Sequence, residues 1–179
     1  MDACAQQSSF EPFSEVMLAN RSGIRLRTFV SLPAGAQAGD TFPCILQRAP
    51  YVPEAVEAGP QNARNAASGG NAAGFAVVFQ HCRGKGGSEG DYVPFVGERE
   101  DGLDTIAWIE KQPWFNGELY LSGGSYTAFV HLAYMNALPA CVKGAFLMIM
   151  CTDAQKAFYK GGAFKAEILP IWYPQFYHE

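Results

Sequence analysis

Hydrophobic and polar residues alternate along the first part of the chain. The alternation is clearest over Ile24–Val30, and a period of two is the signature of a strand with one buried face. Val16–Ala19 precedes it, and the turn-forming segment Asn20–Gly23 lies between them. We therefore predict an antiparallel hairpin over residues 16–32, followed by a third strand at Phe42–Gln47.

Later segments are uniformly apolar rather than alternating. Phe75–Gln80, Leu119–Ser122 and Lys143–Cys151 are strand-sized runs of this kind, typical of parallel strands covered on both faces. Apolar residues at helical spacing predict helices between them. The predicted helices are Ala63–Ala73, which two glycines interrupt, Glu98–Lys111 and Tyr126–Leu138.

Strands and helices therefore alternate after the hairpin. This order predicts an α/β fold in which crossover helices join a mostly parallel sheet, with the antiparallel hairpin at its N-terminal side. Residues 1–152 carry the pattern. Residues 153–179 break it, and we expect them to begin an inserted or appended segment. That segment is rich in aromatic residues, namely Tyr159, Phe164, Trp172, Tyr173, Phe176 and Tyr177.

The composition fits one folded domain. Hydrophobic residues make up 49% and charged residues 17% of the 179 positions, which excludes disordered and coiled-coil proteins. Lys and Arg number 13 against 17 Asp and Glu, without a basic stripe, so we expect no nucleic-acid partner. No apolar run approaches the roughly 18 residues of a membrane span, and Met1–Phe13 lacks the pattern of a signal peptide. We expect a cytoplasmic protein that does not bind membranes.

The five cysteines are scattered and form no C-x-x-C pair, which argues against a zinc site and a disulfide framework. Cys44, Cys141 and Cys151 lie in or beside apolar runs, where cysteine commonly acts as a small core residue. A redox role for Cys82 or Cys44 has no local motif to support it. We predict no metal and no cofactor.

Small residues flank Ser125 where an apolar strand runs into a helix, within Leu119–Ala128. A serine on such a tight turn is raised clear of the sheet, and the following helix N-terminus supplies free N–H groups for a developing oxyanion. The alternative is an ordinary glycine-rich connection whose serine caps the helix. Thr127 stands where the pattern G-x-S-x-G has its last glycine, so the motif alone leaves both readings open.

Six motifs in a fixed order extend this pattern across the chain. Together they resemble the N-terminal catalytic part of the cocaine esterase and X-Pro dipeptidyl-peptidase-like (CocE/NonD) acyl hydrolases, over about Glu15 to Phe164. The resemblance implies an α/β-hydrolase fold, incomplete at its C-terminal side, with a serine nucleophile. The motifs are Arg48–Tyr51, Gln80–Gly84, Gly87–Gly90, Glu100–Ile109, Gln112–Gly117 and Gly123–Tyr126.

The resemblance assigns three site residues. Ser125 matches the nucleophile, Tyr51 matches a tyrosine whose hydroxyl helps form the oxyanion hole, and the backbone N–H of Tyr126 matches the second donor. A half-buried aromatic residue at a strand end is the alternative for Tyr51. Two positions depart from the family pattern, because His81 replaces the usual aspartate and Ala128 replaces a second glycine.

A serine nucleophile needs a base that is itself oriented by an acid, and in α/β-hydrolases both follow the serine in the chain. His131, His81 and Asp153 are poor matches for these roles, and His178 lies near the C-terminus. The resemblance places the acid and the histidine beyond a helical cap that begins within residues 153–179. We therefore expect them beyond Glu179.

These features predict a serine hydrolase that forms an acyl-enzyme on an ester, an amide or a proline-containing peptide. The chain alone is expected to be a truncated and inactive form. The alternative is a non-catalytic fragment, or a subunit of an α/β-hydrolase that another chain completes, and a homo-oligomer is also open.

The glycine-rich loop Arg83–Gly90 lacks the spacing of a phosphate-binding loop. We expect a structural loop, held by Arg83 pairing with an acid of the next helix. The acidic residues at the start of that helix are expected to be solvated. They are Glu98, Glu100, Asp101 and Asp104.

Overall fold

A computed structural model describes residues 12–51, 56–167 and 170. Its main feature is a six-stranded sheet with strand order β1-β2-β4-β3-β5-β6. The strands are β1 (Phe13–Ala19), β2 (Arg25–Ser31), β3 (Phe42–Ala49), β4 (Ala76–His81), β5 (Phe115–Gly124) and β6 (Val142–Met148). The helices are α1 (Gly59–Ala72), α2 (Glu98–Ile109), α3 (Tyr126–Leu132) and α4 (Ala154–Phe158), with 3-10 turns at Val56–Ala58 and Met135–Ala137.

The predicted hairpin and the mixed sheet are confirmed. β1 pairs antiparallel with β2, and β2 pairs antiparallel with β4. β4, β3, β5 and β6 then run parallel, each to its neighbour. Leu26, Thr28 and Val30 of β2 are buried, as the alternating pattern predicts, but Phe29 on the other face is buried as well, so this part of β2 is covered on both faces.

Helices cover both faces of the sheet. α1 packs against β4 and β2 on the face that carries Ile45 and Val77. The opposite face forms the main core with α2 and the segment after α3. Its buried members include Leu46, Val78, Ile106, Ile109, Leu121 and Tyr134.

α3 is shorter than predicted, because it ends at Leu132 rather than Leu138. The backbone of Tyr134 leaves helical geometry, with φ −126°, and its ring is fully buried. That ring lies against Gly102, where an added Cβ would come within 2.0 Å of it. Packing of Tyr134 over α2 therefore replaces the last turns of the predicted helix.

The prediction that Lys143–Cys151 is a buried strand is wrong. β6 is an edge strand, and Phe146 is 66% exposed. Met148, the last residue of β6, and Ile149 after it are also exposed. Among the described residues no helix covers β5 and β6 on the α1 side, so an apolar sequence is left facing outward.

An open depression of about 440 Å³ marks this uncovered area. The register aligns Ile45 with Tyr120 and Gly144, and Ser122 with Phe146, so these side chains share one face. We call this surface the open face and define it by Ile45, Phe75, Tyr120, Ser122, Gly144 and Phe146.

Beyond β6 the chain forms α4 and a two-stranded hairpin, β7 (Tyr159–Lys160) with β8 (Ala163–Phe164). Asp153 accepts a hydrogen bond from Lys156 N and caps α4. The expected segment boundary after residue 152 stays a prediction. The N-terminal stretch with Cys4, the later aromatic positions 172–177 and His178 lie outside the described residues.

Cys44 and Cys141 are buried core residues as predicted, and Cys151 is half-buried. Burial raises the pKa of the Cys44 and Cys82 thiols far above their usual value. Such thiols carry almost no thiolate, so neither Cys44 nor Cys82 is suited to a redox role. No helix in the described part of the chain is long and apolar enough to cross a membrane.

Candidate active site

Ser125 lies on a strained turn between β5 and α3. Its φ is 56° and its ψ is −127°, a conformation that costs a residue with a side chain about 1–3 kcal/mol. The Ser125 N–H donates to the carbonyl of Met148 at the end of β6, 3.0 Å away. Its own carbonyl accepts from the N–H groups of Ala128 and Phe129, which start α3. The turn is therefore fixed from both sides.

Close backbone approach requires a glycine at position 123. A Cβ on Gly123 would lie 2.2 Å from the carbonyl oxygen of Thr127, whereas one on Gly124 would lie 3.4 Å from Met148 Cγ and 3.9 Å from Met148 O, at ordinary contact distances. Ala128 is fully buried at the helix start, so a methyl group is accommodated where the family has glycine.

Thr127 closes the turn with its side chain. Its hydroxyl accepts from Gly124 N at 2.6 Å and donates to Gly124 O at 2.6 Å. A glycine at this position could make neither bond. The departure from G-x-S-x-G therefore supplies contacts within the turn rather than disrupting it.

The structure brings the three sequence-predicted site residues together. Tyr51 follows the end of β3, and its hydroxyl donates to Ser125 Oγ at 3.0 Å. The same hydroxyl accepts from the backbone N–H of Tyr126 at 3.2 Å. A phenol, a serine hydroxyl and a backbone N–H at the start of α3 thus meet at one point.

The Tyr126 side chain points the other way, into the protein. Its ring is 1% exposed and forms a second buried cluster with Cys82 and Val130. Its hydroxyl accepts from Phe95 N at 2.7 Å and faces Glu98 Oε1 at 3.4 Å. Burial and the nearby carboxylate raise the pKa of this phenol, so it stays neutral.

The prediction of a solvated acidic helix start is wrong for two of the four residues. Glu98 is 4% exposed and Asp101 is 1% exposed, because both face the fully buried guanidinium of Arg48. Arg48 Nη1 donates to Glu98 Oε2 at 2.9 Å, and Nε donates to Gln80 Oε1 at 2.7 Å. Burial opposes the charge on Arg48, but the carboxylates outweigh it and hold its pKa above the usual value.

The other two acids lie nearer to solvent. Asp104 pairs with Arg21, and Glu100 is exposed. The predicted pairing of Arg83 with an acid of the next helix is confirmed, since Arg83 Nη2 lies 2.8 Å from Asp101 Oδ1. The sequence does show an arginine, Arg48, near the end of an apolar strand. It does not show which residues pair with that arginine.

Neither described histidine can serve Ser125 in this arrangement. His131 is a buried packing residue, hydrogen-bonded to the Tyr134 hydroxyl and to Ser122 O. His81 is also buried, between the rings of Phe29 and Phe79, and no hydrogen bond reaches its ring nitrogens. It lies at the end of β4, two strands from β5, as the sequence predicts.

Asp153 has a structural contact of its own, since it caps α4 and pairs with the exposed Lys156. Within residues 12–51, 56–167 and 170, no group of three or more His, Cys, Asp or Glu side chains is arranged to hold a metal ion.

Comparison with known proteins identifies the family. The X-Pro dipeptidyl-peptidase (S15 family) profile matches residues 22–178. Cocaine esterase from Rhodococcus sp. (strain MB1 Bresler) is 31% identical over 161 residues, which is 89% of this chain. The range matched by the family profile contains all six motifs of the sequence analysis.

Solved structures show the same fold. An α-amino acid ester hydrolase superposes with a TM-score of 0.62 at 25% identity, covering 81% of this chain and 28% of its own. An aminopeptidase from the marine sediment archaeon Thaumarchaeota archaeon gives a TM-score of 0.61 at 26% identity, with 81% and 27% covered. The sheet and helices are thus those of an α/β hydrolase.

The match is partial on the relatives' side. The chain spans 27% of the length of cocaine esterase, and a similar share of the two solved structures. The matched part contains the serine turn and the tyrosine after β3. On these grounds the chain belongs to the X-Pro dipeptidyl-peptidase (S15) family of serine hydrolases.

Proposed function

We propose that Ser125 is the nucleophile of an acyl hydrolase that works through an acyl-enzyme. The observation that carries the proposal is the meeting of Ser125 Oγ, the Tyr51 hydroxyl and the Tyr126 N–H on a strained strand-to-helix turn. The alternative of a mere helix cap has no support, since the Ser125 side chain makes no capping hydrogen bond to α3.

Tyr51 and Tyr126 would stabilise the oxyanion. When Ser125 Oγ attacks an ester or amide carbonyl, its proton would pass to a histidine base and the carbonyl oxygen would gain negative charge. Collapse of this intermediate would release the alcohol or amine, which takes up that proton, and leave the acyl-enzyme. The Tyr126 N–H would exchange its bond to the phenol for that oxygen, and the phenol would turn its O–H toward the same point. Each such donor contributes about 10²–10³ in rate.

The acyl-enzyme would then be released by water, with a histidine and an acid acting as base and orienting group. We propose that these two residues lie outside the described part of the chain, and beyond Glu179. The substrate class is an ester, an amide or a proline-containing peptide, which fits relatives named as esterases and as an aminopeptidase. Residues from 153 onward would begin a cap over the site.

A fluorophosphonate probe tests the nucleophile. We expect it to label Ser125 in a longer polypeptide that spans the full length of the family, and to label the 179-residue chain much more slowly. Ser125→Ala should abolish labelling. Ser122→Ala, on the same strand but before the turn, is the matched control and should label normally. Undiminished labelling of the Ser125→Ala protein would reject the proposal.

A second candidate is a non-catalytic subunit that another chain completes. The observation that favours it is the open face beside the edge strand β6, with Phe146 66% exposed. Mixing the chain with a separately produced polypeptide that covers the rest of the family length tests this idea. A stable complex that labels at Ser125 would indicate complementation. A stable complex without labelling would favour the non-catalytic subunit.

A further inference from the structure

The two proposed oxyanion donors come from different parts of the chain. The Tyr51 hydroxyl follows β3, whereas the Tyr126 N–H belongs to the turn after β5. Donors of this kind act only when they are held within about 0.5 Å of the productive geometry. Something must therefore fix the end of β3 relative to the start of α3.

Arg48 provides one end of such a connection. It lies three residues before Tyr51, near the C-terminal end of β3, and its side chain is fully buried. Nη1 donates to both Glu98 Oε2, at 2.9 Å, and the Glu98 carbonyl, at 3.2 Å. The start of α2 is thereby tied to the end of β3.

Glu98 provides the other end. Its second oxygen, Oε1, lies 3.4 Å from the hydroxyl of Tyr126, which donates to it. That hydroxyl also accepts from Phe95 N at 2.7 Å. Phe95 has a φ of 67°, so its backbone too is held in a costly conformation by this bond. These two hydrogen bonds therefore hold the hydroxyl end of the Tyr126 side chain, while its backbone N–H lies at the site.

We propose that Glu98, held by Arg48, is a positioning residue for the oxyanion site. It fixes the Tyr126 side chain, and with it the N–H next to Ser125, at a set distance from Tyr51. The predicted effect of Glu98 on catalysis rests on the proposed function of Ser125. The predicted effect of Glu98 on the structure of the turn does not.

A buried ion pair is weak evidence for a stabilising role, because an apolar replacement of similar volume often leaves stability unchanged. The charges of Arg48 and Glu98 instead specify the orientation of the Tyr126 side chain. One oxygen of the Glu98 carboxylate accepts from the Arg48 guanidinium, and the other accepts from the Tyr126 hydroxyl. An apolar pair offers no acceptor that could orient this hydroxyl.

Hydrogen–deuterium exchange of the 179-residue chain tests the effect on the turn. Glu98→Gln removes the charge that Arg48 faces, and Tyr126→Phe removes the hydroxyl but leaves the ring and the ion pair. In both variants we expect the amides of Phe95 and Tyr126 to exchange about 10- to 100-fold faster, as for loss of one hydrogen bond to a charged group. Amides of the β1–β2 hairpin should be unaffected.

Asp104→Asn is the matched control. Asp104 lies on the same helix and also pairs with an arginine, Arg21, but it makes no contact with Tyr126. Its turn amides should exchange as in the wild type. Unchanged exchange of Tyr126 in Tyr126→Phe, or an equal rise in the Asp104→Asn control, would overturn the proposal. If Glu98→Gln does not fold, Glu98→Asp takes its place, because it keeps the charge facing Arg48 but shortens the reach to the Tyr126 hydroxyl, and unchanged exchange of the Tyr126 amide in that variant would overturn the proposal.

Labelling of the longer polypeptide by the fluorophosphonate tests the effect on catalysis. The rate of covalent reaction should fall about 10- to 100-fold in Glu98→Gln, with reversible probe affinity unchanged, because only alignment is lost. The Glu98→Gln/Tyr126→Phe double variant should be no slower than the slower single variant. If the wild type does not label, the proposed function fails, while the exchange experiment still decides the positioning role.

Discussion

The Tyr51 hydroxyl lies 3.0 Å from Ser125 Oγ, although the two residues are 74 positions apart. The reason is the order of the sheet. β3 and β5 are parallel neighbours, so their C-terminal ends open onto the same edge. Tyr51 follows the end of β3 and Ser125 follows the end of β5. The parallel arrangement of β3 and β5 therefore brings Tyr51 and Ser125 together.

Replacing Tyr51 with Phe removes the proposed oxyanion donor and leaves the ring. We expect the rate at which Ser125 is acylated in the longer polypeptide to fall about 10²–10³-fold, with little change in stability. Stopped-flow hydrolysis of an activated ester measures this rate. Tyr120→Phe is the control, since Tyr120 lies on the open face, and it should react at the wild-type rate. A fully active Tyr51→Phe protein would remove the phenol from the mechanism.

The two glycines before Ser125 should respond differently to alanine. Gly123→Ala places a Cβ 2.2 Å from the Thr127 carbonyl oxygen, a clash with backbone, whereas the nearest atom to the new Cβ in Gly124→Ala is Met148 Cγ at 3.4 Å. We expect Gly123→Ala to destabilise the fold by about 1–3 kcal/mol, as for overpacked sites, and Gly124→Ala to cost less. Urea unfolding compares them. Equal losses would show that the turn is not limited by this contact.

Two buried histidines should make stability depend on pH. Burial, assisted by Arg27, lowers the pKa of His81 to about 4, and burial, assisted by Arg48, lowers that of His131 to about 3. Both pKa values lie below the unfolded value near 6.5, so the unfolded chain binds more protons as the pH falls through 6.5. We expect the free energy of unfolding to drop by about 4 kcal/mol between pH 6.5 and 4.5.

Urea titrations across this window measure the slope. The carboxylates Asp104 and Glu89 have pKa values lowered by their partners Arg21 and Arg25. The stability that these ion pairs contribute is therefore lost mainly at lower pH, when the carboxylates become protonated. His81→Phe removes one titrating group and should roughly halve the slope. A pH-independent stability above pH 4.5 would mean that neither histidine is buried as described.

The sequence predicted the features that depend on local pattern. The hairpin and the parallel strands follow from alternation and from apolar runs, and the position of the serine turn follows from the small residues around it. The role of Glu98 could not be predicted in this way. Its burial depends on Arg48, 50 positions earlier, and any acid at a helix start has the same local pattern whether its partner is water or a guanidinium.

The exposure of β6 was beyond prediction for a related reason. The segment is as apolar as a central strand, and burial depends on what lies beside it. Nothing within Lys143–Cys151 shows whether a further strand or helix covers it. The same limit applies to Tyr51, whose nearness to Ser125 was expected from the family resemblance and not from spacing.

Within the part of the chain that the structure describes, no strand pairs with the outer edge of β6, and this edge should make the isolated chain associate. Edge strands present free backbone donors and acceptors, and here the adjacent open face adds apolar surface with Phe146 66% exposed. We expect sedimentation velocity to show a larger species as concentration rises, and Phe146→Lys to suppress it. Val96→Lys is the control, because Val96 is 62% exposed but lies in the loop before α2. The association should also disappear in the longer polypeptide, where further chain would cover this edge. A strictly monomeric wild-type chain at all concentrations would contradict this prediction.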